Sequence, residues 1–354
     1  MAAIPQRDTT STVAAIYRWY EAQADSGHRP HLGASVIGHA CERYLWLLFR
    51  WAGLPGFDGR MLRLFDTGKR AEPRFVAELR GIGCQVHDAD EFGQQVRVSD
   101  IGGHFGGSLD AGVLGLPEAP KTWHVCEMKT HNRKSFEELV KLAVRKAKPQ
   151  HWAQMQIYMG LTGMERAMYL AENKDTSEVY SERVEFDQVE FTRLVERARR
   201  IITSGTPPTR LSEDPAHWEC KMCAFHAQCH GEQLPEVNCR TCAHSTPRVD
   251  VDGGVWQCEL EHLVVDLPTQ REGCNGHRFI PILLERVAEQ VDARDEAGGN
   301  VAVEYRLPNG TTFLNGYPPS FSSAEIRASK HASTLGDSQV QAIKAEFPQA
   351  RVTA

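Results

Sequence analysis

The chain has 354 residues, 41% hydrophobic and 24% charged, enough to bury a sizeable core and to build two or three domains. There is no uninterrupted apolar run of bilayer length, and MAAIPQRDTTST lacks the charged-then-apolar layout of a secretory signal, so no membrane partner and a cytoplasmic location (a host cell's, if the chain is phage-encoded) are expected. A net charge of -6 does not advertise nucleic-acid binding, although local distribution matters more than the total.

In chain order, residues 12–25 read as a helix and Ser35 to Trp51 as a second, very apolar one. LPGFDG (54–59) is a break. Thr67 is expected to N-cap a helix running to about Leu79, kinked at Pro73. From Cys84 to Lys129, short alternating segments between Gly and Pro turns predict a strand meander. A helical stretch over 134–162 is divided by Pro149. MERAMYLAEN and SEVYSERVEF read as a strand hairpin, and Asp187 to Ile202 as an amphipathic helix. SGTPPTRLSEDP is a linker by composition. The tail from about 282 offers a helix, a hairpin turn at Asn309-Gly310 and a final helix. No internal repeat is visible.

Three segments converge on one chemistry. Asp110 lies in GSLDAGV, and seventeen residues later Glu127 and Lys129 stand two apart in HVCEMKT. Period-2 geometry points Glu127 and Lys129 to one face, and the turn LGLPEAPK lays the two strands side by side. Two carboxylates held that close repel unless a cation shares them. A hard divalent ion such as Mg²⁺ or Mn²⁺ relieves the conflict and keeps sites for water and phosphate oxygen. Gly68 with Glu72, and Gln154 with Tyr158, are pairs one helical turn apart. The run Lys129 to Lys148 holds seven Lys or Arg against Glu137 and Glu138; such a run is commonly a solvated helix face, and here it flanks the acidic set.

The ordered set Gly-x-x-x-Glu, Asp, Glu-x-Lys, Gln-x-x-x-Tyr resembles the PD-(D/E)XK nucleases, and among them the RecB-like group of phage and bacterial recombination exonucleases and CRISPR-associated nucleases. The resemblance spans roughly residues 35–230. It implies an α/β fold, a mixed sheet flanked by helices. By resemblance Glu72, Asp110 and Glu127 would hold the metal with the Met128 carbonyl as a further ligand, Lys129 would be the catalytic lysine, and Gln154 and Tyr158 would orient it and contact DNA. The Pro of the family name is Leu109 here.

Ten cysteines are many for a reducing compartment. Cys84 and Cys126 stand in strand-like surroundings and read as small buried hydrophobes. His104 and His124 read as core or supporting groups rather than ligands. Cys220, Cys223 and Cys229 form one cluster, which needs a fourth ligand: His226, His230, or Cys41 far upstream. RecB-like relatives with an iron–sulfur cluster show the same one-plus-three split, which implies a structural [4Fe–4S] cluster on Cys41, Cys220, Cys223 and Cys229. A four-cysteine Zn²⁺ site has the same ligands. Closing a loop of that length costs roughly 5 kcal/mol, less than the on the order of 10 kcal/mol a structural metal supplies. Cys239, Cys242, Cys258 and Cys274 form a second cluster with a Zn²⁺-like knuckle, in which His244, His262 or His277 could replace one ligand. The expected organisation is a nuclease domain over 1–235, a C-terminal cysteine-rich metal module over 236–281 and an accessory region over 282–354.

The reading that follows is a metal-dependent deoxyribonuclease, an exonuclease of recombination, repair or phage DNA replication. Its partners would be duplex ends or single-stranded DNA and a recombination or single-strand-binding protein. The rivals are a CRISPR-associated-type endonuclease, a non-catalytic DNA-binding iron–sulfur protein, and a redox iron–sulfur protein.

Overall fold

The structure is a computed structural model that describes residues 11–24, 28–53 and 56–353. Residues 1–10 of the stretch read for a leader, and 54–55 of the expected break, lie outside the described residues. Among the described residues no helix is long and apolar enough to cross a membrane.

The chain forms two compact units, one from Met1–His28, Gly56–Val98 and Gly107–Leu194, the other from Arg29–Pro55, Ser99–Gly106 and Val195–Ala354. The first unit holds a five-stranded mixed sheet: β1 Gln85–His87, β2 Ala111–Leu114, β3 His124–His131, β4 Arg166–Asn173 and β5 Val179–Glu185, hydrogen-bonded in that order. β3 and β4 are parallel, the other pairs antiparallel. A parallel pair needs a long crossover, and two helices supply it: α3 Arg133–Ala147 and α4 Pro149–Thr162. Pro149 divides them because at the first helical position its missing N–H costs nothing. Preceding the sheet are α1 Thr12–Gln23 and α2 Gly59–Gly81. This is an α/β fold, a mixed sheet flanked by helices.

The two faces of the sheet differ because strand side chains alternate. Cys126 and Met128 of β3 join Ala111, Val113, Phe75 and Leu79 in an apolar core beneath α2, and Cys84 lies in the same cluster. The expected burial of Cys84 and Cys126 is thus met. The opposite face of β3 carries Val125, Glu127, Lys129 and His131.

Some expected elements start elsewhere. Thr67 does not cap α2; its hydroxyl bonds back to the Arg63 carbonyl inside the helix, and Asp58 caps instead, accepting from Met61 N–H at 2.8 Å. Pro73 lies within one continuous 23-residue helix. The expected helix from Ser35 reduces to a 3₁₀ turn, Ala34–Val36, and a shorter helix, Glu42–Phe49, capped by Cys41, whose sulfur accepts from Tyr44 N–H at 3.4 Å. The meander is interrupted, because Phe105–Ser108 pairs in parallel with Leu32–Gly33.

In the second unit, residues 29–53 fold with the C-terminal half through Arg197, whose guanidinium donates to the Ile37 and His39 carbonyls and to Glu42. The region of the second cysteine group contains a three-stranded sheet of Ser245–Pro247, Trp256–Cys258 and Leu263–Val265. A second three-stranded sheet, Glu289–Asp295, Val301–Arg306 and Thr312–Asn315, stands where the tail's first helix was expected; the helical pieces there are the 3₁₀ turns Pro281–Leu284 and Ala297–Gly299. The Asn309-Gly310 hairpin forms, with Gly310 at φ +87°. Its core is built on Phe279, Leu284, Tyr305, Phe313, Phe321 and Leu335.

Candidate active site and cysteine centres

Pairing of Ala111 with Cys126 carries the β2–β3 register to Asp110 opposite Glu127, on the polar face of the sheet. The Asp110 carboxylate accepts from Met128 N–H at 2.8 Å, which fixes it against β3. Lys129 Nζ touches the Glu127 carboxylate, stands 3.7 Å from Asp110 and donates to the Met128 carbonyl at 3.2 Å. Glu127 is fully buried; Lys129 is in contact with Oε1, and Oε2 has no hydrogen-bond partner. Burial pushes its carboxyl up to about 7, with Asp110 and Glu72 adding to the rise and Lys129 opposing it. Glu72, half-buried on α2, is raised by burial and then by Asp110. Burial works against the Lys129 charge, but Glu127 and Asp110 outweigh it and hold the amine protonated.

Gln154 and Tyr158 meet this pocket from α4. Gln154 Nε2 donates to the Tyr158 hydroxyl at 3.3 Å, and both side chains are buried. The Tyr158 hydroxyl lies over Gly107, where a Cβ would sit only 2.6 Å from it. Burial, then the nearby Glu127, raises the Tyr158 phenol. The structure therefore brings Glu72, Asp110, Glu127, Lys129, Gln154 and Tyr158 into one electrostatic neighbourhood.

A supporting cluster was not read from the sequence. The Tyr169 hydroxyl, on the β4 residue paired with Glu127, lies 2.9 Å from His131 Nε2 and 2.8 Å from His151 Nδ1. Burial first, and the neighbouring lysines second, lower these imidazoles to about 4 and about 3, so both are neutral at pH 7. The available signal was periodicity: His131 is two residues beyond Lys129 on its strand, and His151 three before Gln154 on its helix. His124 is a buried core group bonded to the Thr122 carbonyl. Of the basic run, Arg133, Arg145 and Lys148 pair with Glu137, Asp187 and Glu138, while Lys134, Lys141 and Lys146 are exposed.

In the second unit, Cys41, Cys220, Cys223 and Cys229 line one apolar-walled cavity of about 30 Å³ with Tyr44 and Phe225. Phe225 N–H donates to the Cys223 sulfur at 3.4 Å, as Tyr44 N–H does to Cys41. Arg43 and Arg210 lie near Cys229 and share Glu285. His226 turns to the Pro215 carbonyl. Burial, then Cys242, Cys274 and Cys258, push the Cys239 thiol up to about 12. Cys242 is raised by burial to about 11, against backbone N–H groups of Arg278 and His244 directed at its sulfur. His244 and His277 are engaged elsewhere, His244 with Asn300 and His277 with Thr241. His104 is buried and bonded to the Arg248 and Val255 carbonyls.

Among the described residues, no three His, Cys, Asp or Glu side chains stand close enough together to hold a metal ion as placed. The fit of a cation rests instead on charge and donor chemistry. Glu72, Asp110 and Glu127 outnumber the amines acting on them, Lys129 and Lys69, and the Oε2 of buried Glu127 has no partner. A divalent ion neutralises that excess.

The chain matches no protein-family model and no curated protein. Among solved structures it is similar to SSO0001, at 15% identity and a TM-score of 0.37, over 63% of this chain and 98% of that one. It is also similar to an alkaline exonuclease from Laribacter hongkongensis, at 19% identity and a TM-score of 0.37, over 52% of this chain and 89% of that one. The same exonuclease in complex with dAMP gives 20% identity, a TM-score of 0.37 and the same coverage. At these values the likeness assigns neither an activity nor a substrate to this chain.

Proposed function

We propose that this protein is a divalent-metal-dependent deoxyribonuclease, acting as an exonuclease on DNA ends. The observation that carries the reading is the fully buried carboxylate of Glu127, in contact with protonated Lys129 on one oxygen, unpartnered on the other, and coupled to Asp110 and Glu72. Glu72, Asp110 and Glu127 would hold the ion, with the Met128 carbonyl, already turned toward Lys129 Nζ, as a further ligand. When bound, Mg²⁺ or Mn²⁺ supplies Lewis acidity toward a phosphate oxygen and a more acidic water. Lys129, kept cationic by its two carboxylates, serves as a donor to developing negative charge and orients the attacking water rather than removing its proton. Tyr158, held by Gln154, sets the wall of the pocket. The exposed lysines of α3 would bind phosphates, and a recombination or single-strand-binding protein is the partner class this role implies.

The test is loss of end-labelled linear DNA in Mg²⁺, set beside closed circular DNA. Linear substrate alone should be degraded, and Asp110→Ala should abolish it while leaving the circular dichroism spectrum unchanged. Cutting of circles would move the reading to a CRISPR-associated-type endonuclease; DNA binding without cleavage in either metal would make the chain a non-catalytic binder.

The cysteine groups are proposed as structural metal centres. Four thiols, two backbone N–H···S contacts and two nearby arginines suit the anionic [4Fe–4S] cluster that the resemblance implies. The second reading is a single Zn²⁺ on Cys41, Cys220, Cys223 and Cys229, since a four-cysteine zinc site has the same ligands. Zn²⁺ on Cys239, Cys242, Cys258 and Cys274 is proposed for the second group, where His244 bonds Asn300 and His277 bonds Thr241 through their Nε2 atoms. Iron, sulfide and zinc content of anaerobically purified protein decides among these: about four irons per chain for the cluster, no iron and two zincs for the single-ion reading.

A further inference from the structure

A second feature of the first unit lies on the same sheet face as the carboxylates. His87 of β1 pairs with Gly112 of β2, and Gly112 with Val125 of β3, so the three form a row across the sheet. Gly112 is two residues beyond Asp110, and Trp123 four before Glu127; alternation puts them on the Asp110–Glu127 face. Space confirms the placement, since a Cβ at Gly112 would come to 4.0 Å from the Trp123 indole and 3.6 Å from Met164 Cε. With no side chain at Gly112, the Trp123 ring lies close over the sheet at that position. The His87 and Trp123 centroids are 5.2 Å apart at 68°, forming an aromatic corner. Gly163, at φ +72°, ends α4 and turns the chain so that Met164 closes one side. The resulting open cavity measures about 640 Å³, within the range of roughly 300–1,000 Å³ typical of small-ligand sites. Lys121 stands exposed at its rim, with Glu165 also on the lining.

We infer that this cavity is a nucleobase subsite, in which a base of the bound DNA strand stacks on Trp123 while Lys121 meets its phosphate. The inference rests on the nuclease reading for its ligand and deepens it. An aromatic face beside a cation is the chemistry that binds single-stranded nucleic acid without regard to sequence. The spacing agrees: four strand residues at about 3.3 Å place Trp123 roughly 13 Å from Glu127. A strand crosses that distance in two to four nucleotides, at about 3.4 Å per stacked step and on the order of twice that when extended. The subsite would thus hold one unpaired base a fixed few positions from the scissile phosphate, favouring a frayed or single-stranded end.

The experiment uses the full chain carrying Asp110→Asn, so that binding is read without cleavage. Single-stranded oligonucleotides with one abasic position, stepped inward from the end, are titrated by anisotropy. One or two adjacent abasic positions should weaken binding about 5- to 100-fold. In the Trp123→Ala background the intact oligonucleotide should lose a similar factor and the positional penalty should vanish, while Trp123→Phe retains it. Lys121→Ala should weaken all oligonucleotides alike and reduce the salt dependence by about one phosphate contact. A flat abasic profile, or one unchanged by Trp123→Ala, overturns the subsite. If the wild-type chain cleaves DNA but the profile is flat, the subsite alone fails. A positional profile without wild-type cleavage removes the nuclease reading and leaves the subsite standing.

Discussion

Glu127 and Cys242 are both buried, at 0% and 6% exposure, and each lies among groups that would share its negative charge. They differ in what already balances them. Glu127 has Lys129 in contact, and the pocket around it combines three carboxylates with one amine. Cys242 has backbone N–H groups directed at its sulfur, and with Cys239 it titrates far above neutrality, so these thiols stay protonated. The acidic pocket is therefore organised in advance by its own cation, whereas the thiol group has its charges created only when a metal displaces protons. On the proposed reading, the first region would exchange an ion during work and the second would be stapled by one.

The sharpest way to break this comparison is to remove one thiol. Cys258→Ser should cost more than about 4 kcal/mol if the group holds a structural metal, because the binding free energy of such a metal is folding free energy. Urea denaturation of wild type and variant, each with and without chelator, measures it; chelator should shift wild type further than the variant, which keeps only the other cysteine centre. Equal stability of the two proteins would remove the staple.

Next comes the internal cation of the acidic pocket. Lys129→Met should leave the fold in place and lower DNA cleavage by about 10³-fold, with Lys129→Arg recovering only part, since a planar guanidinium does not fit a point-charge contact. Single-turnover cleavage at saturating Mg²⁺ reads it. Wild-type rates in Lys129→Met would strip that residue of its role.

A smaller effect separates the two regions by pH. Glu127 must lose its proton to bind a cation, and its carboxyl is raised to about 7 by burial first. Below that value the proton competes, so Mg²⁺ affinity of the metal-free protein should rise about tenfold per pH unit and flatten above about 7. Without metal the sign reverses for stability: the folded state holds a proton that the unfolded state has released, so stability falls as pH climbs from about 4.5 to 7. Calorimetric titration of wild type against Glu127→Gln tests both slopes, which the variant should lack.

How much of this was legible in the sequence follows the range of the forces involved. The α3–α4 division at Pro149, the hairpin of β4 and β5, and the Asn309-Gly310 turn are local, and local chemistry specifies them. The register of Asp110 against Glu127 was readable from spacing because one short turn joins their strands. The start of α2 was misplaced because two residue types compete as caps: Asp58 and Thr67 both qualify, and only the interior hydrogen bond of Thr67 to Arg63 disqualifies it. Glu289–Asp295 is a polar edge strand, paired on one side, with no apolar alternation to announce it. In the Tyr169–His131–His151 cluster, spacing places His131 and His151 on the site faces of their own strand and helix, but their meeting at Tyr169 depends on the parallel pairing of β3 with β4.

The smallest expected effect concerns a methyl group. Gly107 and Tyr158 meet so closely that a Cβ at 107 would lie 2.6 Å from the hydroxyl and 3.2 Å from Cε1 of the ring. A rigid tyrosine held by Gln154 cannot withdraw its tip as a flexible chain would, so Gly107→Ala should cost about 1 kcal/mol of overpacking and displace Tyr158 from the pocket wall. Tyr158→Phe removes the atom that clashes hardest but not the ring carbon at 3.2 Å, so the double variant should regain part of the stability rather than all of it. A thermodynamic cycle on the four proteins measures the coupling, which contact between the two positions requires to be non-zero. Additive losses would mean that the tyrosine has room to move, and with it that α4 does not hold this side of the acidic pocket rigid.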